Sequence, residues 1–202
     1  MKRPFILMSA VALAGCITLL PKPSPPPHTF VMGAGDVARA DGAPVDAVIT
    51  VADPTGERSV LGTSLVWRTG DELAYVAQTE WSARAQDGLQ AMLVETLARQ
   101  GRFRAAAQTG EAQSAYEIRW DVLEFDVQQN DMKAHFRADV KLVETAGRRV
   151  IAQRLIETEA PVGDRSATLA SQALTRAARG ASAQIGAFAA DAALQDQLAR
   201  AH

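Results

Sequence analysis

The sequence predicts an α+β domain: an antiparallel β-sheet with two helices packed on one face, preceded by a cleaved signal and a Pro-rich linker. Three observations predict it. Apolar residues alternate with polar ones over residues 116–142, the period of two that marks half-buried strands. They recur at three- and four-residue spacings over residues 89–97 and again over 169–189, the helical period. Strands, helix, strands, helix then follow one another through short turns rather than regular crossovers.

The amino terminus is set aside first. Lys2 and Arg3 precede an apolar run over residues 5–14, about ten residues where a bilayer span needs roughly 20. That length and charge fit a secretion signal. Leu13, Ala14, Gly15 and Cys16 follow in a row, a pattern that resembles the bacterial lipobox. Small side chains at 14 and 15 give a signal peptidase access to the backbone, and the Cys16 thiol is the nucleophile that takes a diacylglyceryl group. Cleavage before Cys16 makes residues 1–15 a lipoprotein signal peptide. The resemblance implies that the new amino terminus is acylated as well; one short chain binds reversibly, whereas two or more anchor stably. Ile17 stands where an aspartate commonly retains such proteins in the inner membrane, so the outer membrane is expected.

Residues 16–28 form the linker. Pro21, Pro23, Pro25, Pro26 and Pro27 favour extended polyproline II, in which a dozen residues at ~3.1 Å each reach roughly 35–40 Å. A domain is expected over residues 29–192 and a flexible tail over 193–202.

Within the domain, residues 30–32 and 47–51 read as strands, the second ended by Asp53, Pro54 and Gly56. Residues 63–68 and 73–77 flank Gly70-Asp71 and read as a hairpin. Residues 82–100 read as a helix with Leu89, Met92, Leu93 and Leu97 on one face, Ser82 as its cap and Gly101 as its stop. Tyr116, Ile118, Trp120 and Val122 alternate with Glu117, Arg119 and Asp121; the phase then slips, and Leu123, Phe125 and Val127 alternate with Glu124 and Asp126. One slip in a strict period predicts a β-bulge near Val122 and Leu123. If so, Asp121 falls on one face and Glu124 and Asp126 on the other. Ala134, Phe136, Ala138, Val140 and Leu142 continue the pattern, and residues 150–159 complete a three-strand meander. Asp164 or Ser166 can cap a final helix with an alanine-rich stripe from Leu169 to Ala189, which should lie close on the sheet. Gly180 and Gly186 either weaken this helix or permit a close approach.

Chemistry-bearing residues are sparse. Gly33-Ala34-Gly35-Asp36-Val37-Ala38 matches a dinucleotide fingerprint, but no helical stripe follows, so it reads as a glycine-rich strand end. Of the histidines, only His135 lies inside the domain, on the expected wet face. Asp121, Glu124 and Asp126 read as a solvated acidic cluster rather than a metal site, and Trp67, Trp81 and Trp120 as core. No nucleophile–base motif, metalloprotease motif or P-loop occurs. With Cys16 the single cysteine, neither an intramolecular disulfide nor a cysteine zinc site can form. Loss of Lys2 and Arg3 with the signal takes the formal charge from -2 to -4, which argues against nucleic acid as a partner. A non-catalytic binding role is expected, with no cofactor beyond the lipid on Cys16.

The lipobox, the prolines, a short strand at residues 29–32, and a hairpin running through Tyr75 into Glu80-Trp81 and an amphipathic helix resemble the ABC-type transport auxiliary lipoproteins, the PqiC-like family. Members commonly carry Arg-Trp where this chain has Glu80-Trp81, and a first-strand tyrosine where it has Phe30. The resemblance implies partnership with an MCE-family periplasmic protein and its ABC transporter, the lipoprotein acting as an outer-membrane-side docking or adaptor piece. Only Cys16 is carried over as a functional residue. The alternative is an outer-membrane assembly lipoprotein that chaperones a β-barrel or binds lipopolysaccharide.

Overall fold

A computed structural model describes residues 25–201. The signal, Cys16, the first part of the linker and His202 lie outside the described residues. Nine strands form one sheet: β1 (His28–Phe30), β2 (Val45–Val51), β3 (Thr55–Gly56), β4 (Ser64–Thr69), β5 (Glu72–Trp81), β6 (Phe103–Gln108), β7 (Tyr116–Gln128), β8 (Lys133–Glu144) and β9 (Arg149–Pro161). The helices are α1 (Arg58–Leu61), α2 (Ala85–Gln100) and α3 (Ala167–Arg200).

β7 is the spine of the sheet. On one side it pairs antiparallel with β8, and β8 with β9, giving the expected meander. On the other side three segments share its length, all parallel to it: β2 beside Tyr116, β3 beside Asp121 and Val122, β4 beside Val127 and Gln128. β6 extends the β2 branch in parallel; β5 and then β1 extend the β4 branch, β1 also in parallel. The α+β class stands, but the sheet is mixed rather than wholly antiparallel. Alternation reports that a strand has one buried face, not the direction of its neighbour.

α2 and α3 pack on each other and on the same face of the sheet, over one continuous core. On β8 the alternation is literal, with Ala134, Phe136, Ala138, Val140 and Leu142 all buried. Alanines at 134 and 138 face a helix whose own inner stripe includes Ala170, Ala173, Ala177, Ala181 and Ala189, so α3 lies close on the meander. Gly186 permits the α2–α3 crossing: a Cβ there would sit 2.0 Å from the Gln100 Oε1, while Gln100 Nε2 donates to the Ala183 carbonyl at 3.0 Å.

Both helix ends show their chemistry. Ser166 caps α3, its Oγ accepting from the Leu169 N–H at 3.3 Å. Gly101 ends α2 at φ 69°, the left-handed conformation that glycine adopts without strain. Ser82 does not cap α2. Its N–H donates to the Phe30 carbonyl, which ties it to the sheet, and α2 begins three residues later behind Arg84.

Further expectations are corrected. The first strand is His28–Phe30, not 30–32. β6 is a strand that alternation did not reveal. The β7 bulge is present, between Val122 and Glu124, but Leu123 is the extra residue and is exposed rather than inward. By absorbing one residue the bulge keeps Val122 and Phe125 on the core face, so Asp121, Glu124 and Asp126 all share the opposite face. The tail expected over 193–202 is helix through Arg200, with Ala193 and Asp196 buried.

Candidate functional site

The face of the sheet opposite the helices carries the charged residues of β7 and β8. Its registers bring together side chains that alternation alone leaves unpaired. Arg137 meets Glu124 at 3.0 Å across the strands. Asp126, fully buried, accepts from Arg68 of β4 at 2.9 Å. Burial pushes its carboxyl above the usual range, and the Arg68 pairing only partly offsets this. His135 is half-buried between two carboxylates, 3.0 Å from Asp131 and 3.6 Å from Glu159. Lys133 pairs with Glu159 and holds that carboxyl below its ordinary value. The acidic cluster therefore does not act as a unit, and no three metal-binding groups converge among the described residues.

A shallow cavity of about 390 Å³ opens further along the same face. Asp121, Asp139, Arg119 and Lys141 line it, together with Asp53, Thr55, Arg148 and Val150. Thr55 donates to Asp121 at 3.0 Å, Gln153 to Asp139, and Lys141 stands 3.5 Å from Asp139. Three acids, Asp53, Asp121 and Asp139, and three bases, Arg119, Lys141 and Arg148, line it in equal number.

The remaining candidates serve the fold. Trp81 stacks on Phe125 at 6.0 Å, and Trp120 packs against Phe136 while donating to the Ala52 carbonyl; all three tryptophans are buried. The segment around Gly33 and Gly35 is a strap: Arg179 donates to the Gly33 carbonyl and Arg99 to that of Gly35. No helix begins there.

Two constellations were not foreseen. Buried Arg102 donates to the Asp41 and Ala43 carbonyls and pairs with Asp191, clamping the strap to α3. Asp196 accepts from Tyr116, Arg149 and Arg200 at 2.6–3.0 Å. Burial opposes ionisation of Asp196, but these donors outweigh it and hold the carboxyl below its ordinary value. Burial, together with the bond to Asp196, pushes the Tyr116 hydroxyl up to about 12. Its partners are separated by up to 80 residues, so no local pattern could mark them.

The domain is a mixed sheet with two helices on one face and charged side chains on the other. Comparison with known proteins gives its family. The sequence model of the ABC-type transport auxiliary lipoprotein component matches residues 32–186, and the chain belongs to that family. No curated protein matches it. Among solved structures, the DUF330 protein XCC0632 of Xanthomonas campestris has the same fold: TM-score 0.79, 20% identity, covering 84% of this chain and 98% of that one. Hypothetical protein CT253 of Chlamydia trachomatis superposes at TM-score 0.53 with 8% identity, over 73% of this chain and 98% of that one. Among the described residues no helix is long and apolar enough to cross a membrane.

Proposed function

We propose that this protein is a non-catalytic, lipid-anchored accessory component of an ABC/MCE-type intermembrane lipid transport system, acting as a docking or adaptor piece on the outer-membrane side. Family membership over residues 32–186 carries the reading and associates the chain with an ABC transport system. The site's chemistry supports it: the acids of the open face have arginine, lysine, histidine, threonine or glutamine partners, which suits protein contact better than proton transfer. The anchor is the lipid on Cys16, and no other cofactor is involved. The MCE-family protein is the partner.

Crosslinking in native cells followed by purification of this protein tests the reading. Recovery of an MCE protein together with the transporter ATPase is expected. Recovery of an outer-membrane β-barrel with no transport component would instead favour an assembly role.

A further inference from the structure

β9 ends the sheet on the meander side. Among the described residues it pairs with β8 and with no other strand. Its 13 residues compare with three for β1 and six for β6, which end the other branches. Natural edges are blunted by brevity, lysine, proline or a covering element. Residues 149–160 contain neither lysine nor proline. α3 lies beneath β9, where Thr158 donates to the Ala177 carbonyl and Arg154 sits 4.9 Å over the Phe188 ring. The helix therefore covers the core face of the strand rather than its outer edge.

The phase of the ladder shows which backbone groups are free. The Val162 N–H donates to the Met132 carbonyl at 2.9 Å, one step past the Lys133–Pro161 pair. In an antiparallel pair alternate residues bond the neighbour, and those between them point away. Residues 152, 154, 156, 158 and 160 thus bond β8, while Gln153, Leu155, Glu157 and Glu159 turn their N–H and C=O outward. Pro161 closes the series: it has no N–H, and its carbonyl already accepts from Arg176 at 2.9 Å. The outward-turned residues place their side chains on the open face, where Leu155 is 50% exposed.

We propose that this edge pairs with the same edge of a second copy of the chain, β9 antiparallel to β9, about a twofold axis through Leu155. The strand is self-complementary in that register. Leu155 faces Leu155 of the second copy, and Gln153 faces Glu157 in both directions, amide against carboxylate. Each of these pairs exchanges two backbone hydrogen bonds. On the core face Arg154 meets Ile156, and Ala152 meets Thr158. Moving the axis by one residue sets Arg154 opposite itself or Leu155 opposite Glu157. Moving it to residue 157 sets that glutamate opposite itself, and like charges directly opposite destabilise. α3 packs under both β8 and β9, so its axis lies roughly one strand spacing, ~5 Å, from the twofold. The two copies of the helix then run side by side at about 10 Å, an ordinary packing distance. The pairing does not rest on the transport reading.

The test uses the full-length protein in its native host. Leu155→Cys sets two sulfurs across the axis at a Cα separation of about 5.5 Å, within disulfide range. Intact cells are treated with copper phenanthroline, which oxidises two thiols to one disulfide, and the dimer is read on a nonreducing gel. Glu157→Cys lies on the same edge, but its copy is four residues away, roughly 13 Å, so it reports the register. Ala91→Cys, exposed on α2, reports chance collisions, and the unsubstituted chain, with Cys16 as its single cysteine, sets the background. A dimer yield from position 155 several-fold above the yields from 157, 91 and the background is expected. No dimer from position 155, or a yield from 157 or 91 equal to or above it, overturns the pairing.

Discussion

Replacing Asp196 by alanine tests whether the last turns of α3 belong to the folded unit. The carboxylate is buried, and Tyr116 donates to it at 3.0 Å. Without it, the buried Tyr116 hydroxyl keeps only a long 3.4 Å contact with the Ala193 carbonyl. An unsatisfied buried hydroxyl costs ~1–3 kcal/mol. Arg149 and Arg200 are about half exposed and regain water, so their loss adds little. The expected destabilisation at pH 7 is about 2 kcal/mol, a melting-point fall of ~4–8 °C for a domain of this size. Asp196→Asn keeps an acceptor for Tyr116 and should cost less. The folded carboxyl titrates below its ordinary value of 3.8, so its stabilisation is complete above that pH and is lost as pH falls through the folded value. The deficit of the alanine variant should therefore narrow in acid. Urea denaturation followed by circular dichroism at pH 7 and pH 3 measures both quantities. A loss under about 0.5 kcal/mol at pH 7, or an equal loss at both pH values, would refute the reasoning.

Other expectations follow from the same contacts. Arg68→Ala leaves the Asp126 carboxylate buried and unpaired, costing ~2–4 kcal/mol at pH 7. Because burial already raises the Asp126 pKa, the carboxyl protonates as pH falls and the cost should shrink; denaturation at pH 7 and pH 4 checks the sign. Gly186→Ala gains ~1 kcal/mol of helix propensity but expels the Gln100 side chain and its bond to Ala183, so the single change should be near neutral. In a Gln100→Ala background the same change should stabilise by about 1 kcal/mol, which a double-mutant cycle reads directly. Deleting Leu123 restores strict alternation and leaves twelve β7 residues to match the twelve of β8, so a folded protein is expected. Deleting Arg119 instead reverses the faces of Tyr116 and Ile118 and should abolish soluble expression.

What the sequence displayed was governed by local periodicity. The meander was legible because each of its faces meets a different medium, so Phe136, Val140 and Leu142 alternate with His135, Asp139 and Lys141. β6 was not, since its Ala105, Ala106 and Ala107 carry no contrast between faces and only Phe103 is well buried. The parallel placement of β2, β3 and β4 along β7 is a long-range outcome that no window of sequence encodes. Polarity misled at the carboxyl end, where Gln195, Asp196 and Gln197 look like a solvated tail until Tyr116 and Arg149 are found against Asp196. Cys16 is the reverse case, since its neighbours in sequence alone suggest its modification. The ion pairs of the open face depend on register, and register appears only on folding.

α3 starts at the hairpin end of the sheet, where β9 finishes, and runs to the other end without a proline. Its 34 residues make a rod of about 51 Å. Packed flush through its alanines, it acts as a strut: a push or tilt at one extremity moves the other by a matching amount instead of being absorbed by bending. The hairpin end of the sheet and the end where this helix finishes are thereby held about 5 nm apart.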